Sequence, residues 1–245
     1  MNTTVDALLE ARRTRNWLTA LPAPPVSEAD AYAIQDAVAR RLGPVVAWKV
    51  GARTPDSEPF RAPIHAETTF TGVDRLPASM FQVIGMEAEI AYRFAKDLPP
   101  RTQPYTRDEV LDAVASLHPA FEIVDTRFAG FGTQDGLSHM ADQLNHGALV
   151  VGPAIPNWRS LDPITERVTL DVDGKREKDT VGGNSAGEPV RLLVWMANVG
   201  AVSLGGLKAG DVVTTGSHTG TVFVKPGSRS VATYGTMGTY ELTVE

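Results

Sequence analysis

The alternation in Gly85-Met86-Glu87-Ala88-Glu89-Ile90-Ala91-Tyr92 restricts this chain more than any other stretch. Side chains on a strand alternate faces with a period of 2, so Glu87 and Glu89 project together while Met86, Ala88, Ile90, Tyr92 and Phe94 face a core. A second apolar, strand-like run, Pro119-Ala120-Phe121-Glu122-Ile123-Val124, carries Glu122, a charge that is costly to bury unpaired. Three carboxylates in reach of one another repel unless a cation lies between them. Oxygen-only ligation of that kind suits a hard ion, Mg²⁺ or Mn²⁺, with positions left for water and substrate. The residues alone leave two alternatives open. One is a metal site at Glu87, Glu89 and Glu122; the other is a half-solvated strand whose acids face water.

Turn and cap signals divide the rest. Residues 4 to 19 read as a helix, broken by Pro22, Pro24 and Pro25. Ser27 with Asp30 opens a second helix that stops at Gly43. Val45 to Gly51 reads as a strand, and residues 52 to 80 as a long polar, Pro-rich loop. Within it, Arg53 to Thr71 is expected to close as a lid over the acids. Thr106 and Glu109 form a capping box for a helix to about Leu117, and Asp142 to Val151 leads into a strand. Asp173-Gly174 marks a hairpin. Residues 188 to 203 read as a helix, and the last 35 residues as short strands. The pattern predicts an α+β fold, β-rich with a few covering helices, with residues 1–45 as an N-terminal helical region and 46–245 as a β-rich catalytic domain.

Composition narrows the function classes. A net charge of −6 argues against a nucleic-acid partner, which calls for a basic face. No run approaches the ~18 apolar residues of a membrane span. Asp6 and Glu10 near the start do not resemble a secretory signal, so a cytoplasmic location is expected. The absence of cysteine excludes disulfides, thiolate metal sites and Cys nucleophiles. The histidines lack metal-ligand spacing, and neither a Gly-x-Ser-x-Gly elbow nor a dinucleotide-binding glycine motif is present.

Other residues carry chemistry of their own. Lys49 lies in an apolar strand between Trp48 and Val50; it either snorkels to the surface or turns its ammonium into a pocket. Gly216-Ser217-His218-Thr219-Gly220 offers Ser217, His218 and Thr219 as donors to an anionic ligand, or is a plain polar turn. Arg61 is a candidate carboxylate contact, or a surface arginine. Asp142 and Asn145 precede a strand as caps or as supports of a site.

Taken in order, Ala47-Trp48-Lys49-Val50-Gly51, Met86-Glu87-Ala88-Glu89-Ile90-Ala91, Pro119 to Arg127 and Gly210-Asp211-Val212-Val213-Thr214-Thr215-Gly216-Ser217 form a recognisable set. From about residue 30 onward the chain resembles the 2-keto-4-pentenoate hydratase and 4-oxalocrotonate decarboxylase family, a branch of the fumarylacetoacetate hydrolase superfamily. The resemblance implies a fumarylacetoacetate-hydrolase-like fold of mixed sheets or a barrel-like roll. It also implies a divalent metal on Glu87, Glu89 and Glu122, a catalytic Lys49, a homo-oligomer, and small 2-keto acids from aromatic-compound breakdown as substrates. Substrate contacts are expected at Arg61, Ser217, His218, Thr219 and Asp142. Hydration of a 2-keto-4-enoate through a metal-stabilised enolate is the expected reaction. A decarboxylase, a C–C hydrolase or a non-catalytic supporting subunit are the alternatives. The chain departs from the family at Pro59-Phe60-Arg61-Ala62, where many relatives carry an aspartate, and at Asp142-Gln143-Leu144-Asn145, which stands for an Asp-Asn-Ala-Ser element.

Overall fold

The computed structural model describes residues 2–155 and 157–245. Two helices open the chain, α1 (Asn2–Thr14) and α2 (Glu28–Leu42). Ser27 caps α2 by accepting from the Asp30 N–H at 3.1 Å, as its sequence predicts. Three strands follow: β1 (Val45–Gly51), β2 (Phe60–His65) and β3 (Thr69–Thr71). The short β4 (Arg75–Leu76) precedes β5 (Gly85–Phe94), α3 (Arg107–Ala113) and β6 (Val114–Val124). Then come α4 (Gly136–Ala141), β7 (His146–Val151), β8 (Arg167–Val172), β9 (Lys175–Val181) and α5 (Pro189–Trp195). The chain ends with β10 (Val212–Ser217), β11 (Val222–Phe223), β12 (Arg229–Tyr234) and β13 (Gly238–Val244).

Among the described residues the strands form two mixed sheets. The larger runs β2-β1-β10-β5-β6-β7-β3, with β11 also paired to β5; the smaller runs β4-β13-β12-β8-β9. The apolar face of β5 meets the smaller sheet, so Met86, Ala88, Ile90, Tyr92 and Phe94 share a core with Val168, Leu170, Ala232, Tyr234 and Leu242. The Tyr234 hydroxyl ties the layers together by donating to the Glu89 and Ala120 carbonyls at 2.8 and 3.1 Å. On the N-terminal side, Val5 and Leu8 of α1 and Ile34 and Val38 of α2 pack with Ala62, Phe128, Met140 and Leu144 as a second apolar cluster.

Two expectations are corrected here. The stretch from Arg53 to Thr71 is not a free lid. Residues 60–65 form β2, antiparallel to β1, and Thr69–Thr71 pair in parallel with β7. Pro63 masks this strand in the sequence, yet β2 lies at the sheet edge, where a missing N–H is tolerated. The helix opened by Thr106 ends at Ala113 rather than near Leu117. From Val114 the chain joins β5 as its antiparallel partner, and that long ladder overrides helical spacing. The helix expected over 188–203 is α5, continued by a π-helical turn at Met196–Gly200 and a 3-10 turn at Val202–Leu204.

Candidate active site

Strand register assembles the acids. In the β5–β6 ladder Glu87 lies directly opposite Glu122, so the two side chains leave the sheet on the same face as Glu89, two residues on. One ligand oxygen from each of Glu87, Glu89 and Glu122 lies within 4.8 Å of the others. Glu89 and Glu122 are each 1% exposed, which removes the half-solvated alternative for this strand.

Lys49 reaches the same spot from two strands away. In β1 it pairs with Thr214 of β10, and β10 pairs with β5. The Lys49 ammonium donates to Glu122 Oε1 at 2.5 Å and to the Leu144 carbonyl at 3.1 Å. It therefore points into the pocket and does not snorkel to the surface. Thr214 donates to Glu89, and Thr221 to Glu87. His146 Nδ1 lies 3.2 Å from Glu122 Oε1, and its Nε2 is 3.1 Å from the Thr68 hydroxyl.

The charges do not balance. Burial pushes the carboxyls of Glu87 and Glu89 upward, Glu122 adds repulsion at both, and Glu89 lies well above the ordinary carboxylate range. Burial acts upward on Glu122 as well, but Lys49 and His146 outweigh it and hold Glu122 below the usual value. At Lys49 burial acts downward, and the charges of Glu122, Glu87 and Glu89 overcome it, so its pKa is raised. Burial pushes His146 down to about 4, which keeps it neutral near pH 7. Three carboxylates face one ammonium, an excess of two negative charges that matches one divalent cation. The donors are all oxygen, so the set fits a hard ion.

These groups open into a cavity of about 280 Å³. Its other walls include Val50, Ala52, Phe60, Val124, Phe131, His139, Asn145, Ser185 and Ser217, and Lys49 is the one lysine or arginine on its lining. Asn145 is oriented by Gln134, whose Nε2 donates to Asn145 Oδ1 at 2.9 Å. Gln143, Leu144 and Asn145 have φ of 51°, 52° and 59°, three consecutive left-handed residues that are not glycine. Such a turn is disfavoured on its own and is held by its surroundings. Gln143 donates to the Pro63 carbonyl at 2.8 Å and accepts from Arg12 at 2.5 Å. The turn presents the Leu144 carbonyl to Lys49.

The remaining sequence candidates separate. Ser217 lines the cavity. Asp142 is fully buried and accepts from Arg127 Nε at 2.6 Å, so it supports the left-handed turn from behind. Thr219 accepts from the Ala88 N–H at 3.1 Å, which places it in the fastening of β5. His218 is fully buried and lies off the cavity lining. Arg61 is corrected outright. Its guanidinium is buried against Asp36 at 2.7 Å and Gln35 at 2.6 Å and stacks over Tyr32, on a different cavity from the acids. Neighbouring residues on a strand face opposite ways, and Arg61 takes the side away from the site. Sequence reasoning missed Thr214, Thr221, His139 and His146. Each is an ordinary polar residue in sequence; the pairing of distant strands brings Thr214, Thr221 and His146 to the acids, and α4 places His139 on the cavity lining.

The comparisons follow the same outline. The family described as Fumarylacetoacetate (FAA) hydrolase C-terminal matches residues 45–245. A 2-keto-4-pentenoate hydratase of Paraburkholderia xenovorans (strain LB400) is 30% identical over 219 residues, covering 83% of this chain and 79% of its own. A 2-hydroxyhexa-2,4-dienoate hydratase of Comamonas testosteroni is 32% identical over 156 residues, 62% of this chain and 57% of its own. Among solved structures, a 4-oxalocrotonate decarboxylase from Pseudomonas putida G7, complexed with magnesium and adipate, superposes with a TM-score of 0.85 at 21% identity, over 99% of this chain and 96% of its own. The chain belongs to the fumarylacetoacetate hydrolase superfamily and, within it, to the 2-keto-4-pentenoate hydratase and 4-oxalocrotonate decarboxylase family.

Proposed function

We propose that the protein is a divalent-metal-dependent hydro-lyase acting on a small 2-keto-4-enoate. The observation that carries this is the buried cluster of Glu87, Glu89 and Glu122 with the Lys49 ammonium held against Glu122, in a cavity whose other lining residues include no lysine or arginine among the described residues. Glu87, Glu89 and Glu122 would hold Mg²⁺ or Mn²⁺. The ion, when bound, supplies a Lewis acid that draws negative charge from the carboxylate and adjacent keto oxygen of the substrate. Lys49, kept charged by the acids, anchors or protonates an anionic oxygen beside them. Water adds across the C4–C5 double bond, with hydroxyl to C4 and a proton to C5. Val50, Ala52, Phe60 and Phe131 offer an apolar wall to the hydrocarbon end of the acid, where a dicarboxylate would leave its second charge without a partner. That contrast favours hydration of a monocarboxylate over decarboxylation of a diacid at the same site. Ser217 and Asn145 are polar contacts for the substrate, and Asp142 supports the turn that carries Asn145 from behind. Residues 1–45 act as a helical cover on the catalytic residues 46–245, and the assembly is a homo-oligomer in the cytoplasm.

The test is a panel of 2-keto-4-enoates and 2-keto dicarboxylates with Mg²⁺ or Mn²⁺, followed by dienol absorbance, NMR of products and CO₂ release. A 4-hydroxy-2-keto acid product without CO₂ is expected. CO₂ from a diacid would instead make the protein a decarboxylase, and no turnover with metal bound would make it a supporting subunit. Metal should also raise the melting temperature, by linkage worth about 2.7 kcal/mol at a hundredfold excess over Kd. Glu122→Ala should abolish that rise; an unchanged rise would remove Glu122 from the metal set.

A further inference from the structure

The face of β5 that carries the acids continues past Glu87. Alternation puts Gly85 on the same face as Glu87 and Glu89, and its partner in the ladder, Val124, on the same face as Glu122. Exposure rises outward along this face, from Glu89 at 1% to the half-buried Glu87, so the cavity opens toward Gly85. There β11 pairs Phe223 with Gly85, and the Phe223 ring lies over the glycine. A Cβ on Gly85 would stand 3.3 Å from that ring, 3.1 Å from Val124 and 2.7 Å from the Thr221 methyl. The missing side chain is what leaves room for Phe223 on the acid face.

Phe131 meets Phe223 edge to face, with ring centroids 4.9 Å apart and planes at 74°. It lines the catalytic cavity from the corner of a turn. The Thr133 N–H and hydroxyl close that turn by donating to the Gly130 carbonyl at 3.4 and 2.8 Å. Gly132, with φ of 73°, takes the left-handed position the turn requires. Phe131 is 38% exposed and Phe223 54%, and they are the only exposed aromatic side chains among the described residues. Single apolar side chains at a surface are ordinary. Two rings held against each other, at the mouth of a cavity with buried acids at its base, form a rim suited to an apolar group.

We propose that Phe131 and Phe223 select keto acids whose C5 carries a bulky apolar substituent over the unsubstituted five-carbon acid. The assignment rests on the reading of the three acids as the site of the keto-acid head group. With the head group there, the carbon chain runs outward from Glu87 toward Gly85, a step of ~7 Å on a strand, and the C5 substituent is the part that meets the rim. An aryl substituent gains most, because it adds an edge-to-face contact to the area it buries. A carboxylate at that end would lose hydration against two rings, and the lining offers it no lysine or arginine besides Lys49.

The experiment uses saturated keto acids, which cannot be hydrated: pyruvate, 2-oxoadipate and 2-oxo-5-phenylpentanoate. Each is titrated onto the whole chain loaded with Mg²⁺ and read by ligand-observed NMR. The phenyl acid should bind about tenfold more tightly than pyruvate or better, and 2-oxoadipate no more tightly than pyruvate, a tenfold step being about 1.4 kcal/mol. Phe131→Ala and Phe223→Ala should each cut the ratio of phenyl-acid to pyruvate affinity about fivefold, and Phe223→Tyr, which keeps the ring, should retain it. Equal affinities for the phenyl acid and pyruvate, tighter binding of 2-oxoadipate than of pyruvate, or a ratio unmoved by both alanine variants would overturn the proposal. An unmoved ratio with a lower mass of Phe223→Ala by light scattering would make the rim a contact between copies instead. Pyruvate binding without the phenyl preference leaves the hydratase reading intact. A phenyl preference without hydration of any enoate removes that reading and keeps the rim, and no binding of either acid overturns both.

Discussion

At Lys49 two opposing effects meet, and the outcome fixes its chemistry. Burial alone would discharge the ammonium; the three acids keep it charged. Lys49→Met retains the apolar stem that packs in β1 and removes only the charge. Turnover should fall by about 100-fold or more while the metal-induced rise in melting temperature persists. Near wild-type turnover would reduce Lys49 to a counter-ion for Glu122. His218 makes the contrasting case of a buried titratable group that lies off the cavity. Its ring approaches the backbone at Pro163 and Gly216 without a well-formed hydrogen bond, and burial pushes it down to about 4. The folded pKa lies below the unfolded value near 6.5, so between pH 6.5 and 4 the unfolded chain binds the extra proton. Stability therefore falls as pH drops through that window, by up to ~3 kcal/mol from this residue. Denaturant unfolding at pH 7 and pH 5 should show a smaller loss in His218→Gln than in the wild type. Equal losses would mean that His218 is not held neutral.

Among the elements, the left-handed turn at 143–145 is the most exacting. Three such residues cost of the order of 1–3 kcal/mol each, and the turn persists only while its contacts hold it. Gln143→Ala removes the bonds to Arg12 and Pro63 that brace its first residue. The Leu144 carbonyl should then release Lys49, with kcat falling about tenfold and metal affinity unchanged. A matched fall in metal affinity would show that the whole site, rather than the lysine, depends on the turn. The sequence did not reveal this element. Gln143 and Leu144 have no preference for positive φ, and the conformation is imposed by Arg12 and Pro63, both far away along the chain. By contrast, β5 and the caps at Ser27 and Thr106 were legible because their signals are local, in strict alternation and in side-chain-to-backbone spacing. The same holds for the Asp173-Gly174 hairpin, whose residues both take positive φ.

Across the whole molecule, the two sheets and their shared core place the acids at the base of one cavity. The segment after α1 is fastened to its own chain: the Leu18 backbone bonds to Arg127 and Ala129, and Trp17 lines a separate cavity of about 330 Å³. Exposed Val199 lies beside Trp195 and Tyr32 and is a candidate for contact between copies. Light scattering at micromolar concentration should return a multiple of 26.3 kDa. A mass equal to one chain would reject self-association and leave that apolar surface unexplained.

The sequence by itself determined which residues on β5 enter the core and which carry charge, because a period of 2 is a property of the strand alone. It also determined that Glu87 and Glu89 leave β5 on the same face, and the four ordered motifs were enough to place the chain in its family. Only the tertiary structure decided that Glu122 stands opposite Glu87, since the pairing register belongs to two strands at once. It alone turned Lys49 inward and Arg61 outward, joined Thr214 and Thr221 to the acids, and set Phe223 against Phe131. Those features depend on contacts between residues distant in sequence, and such contacts leave no local signal from which to read them.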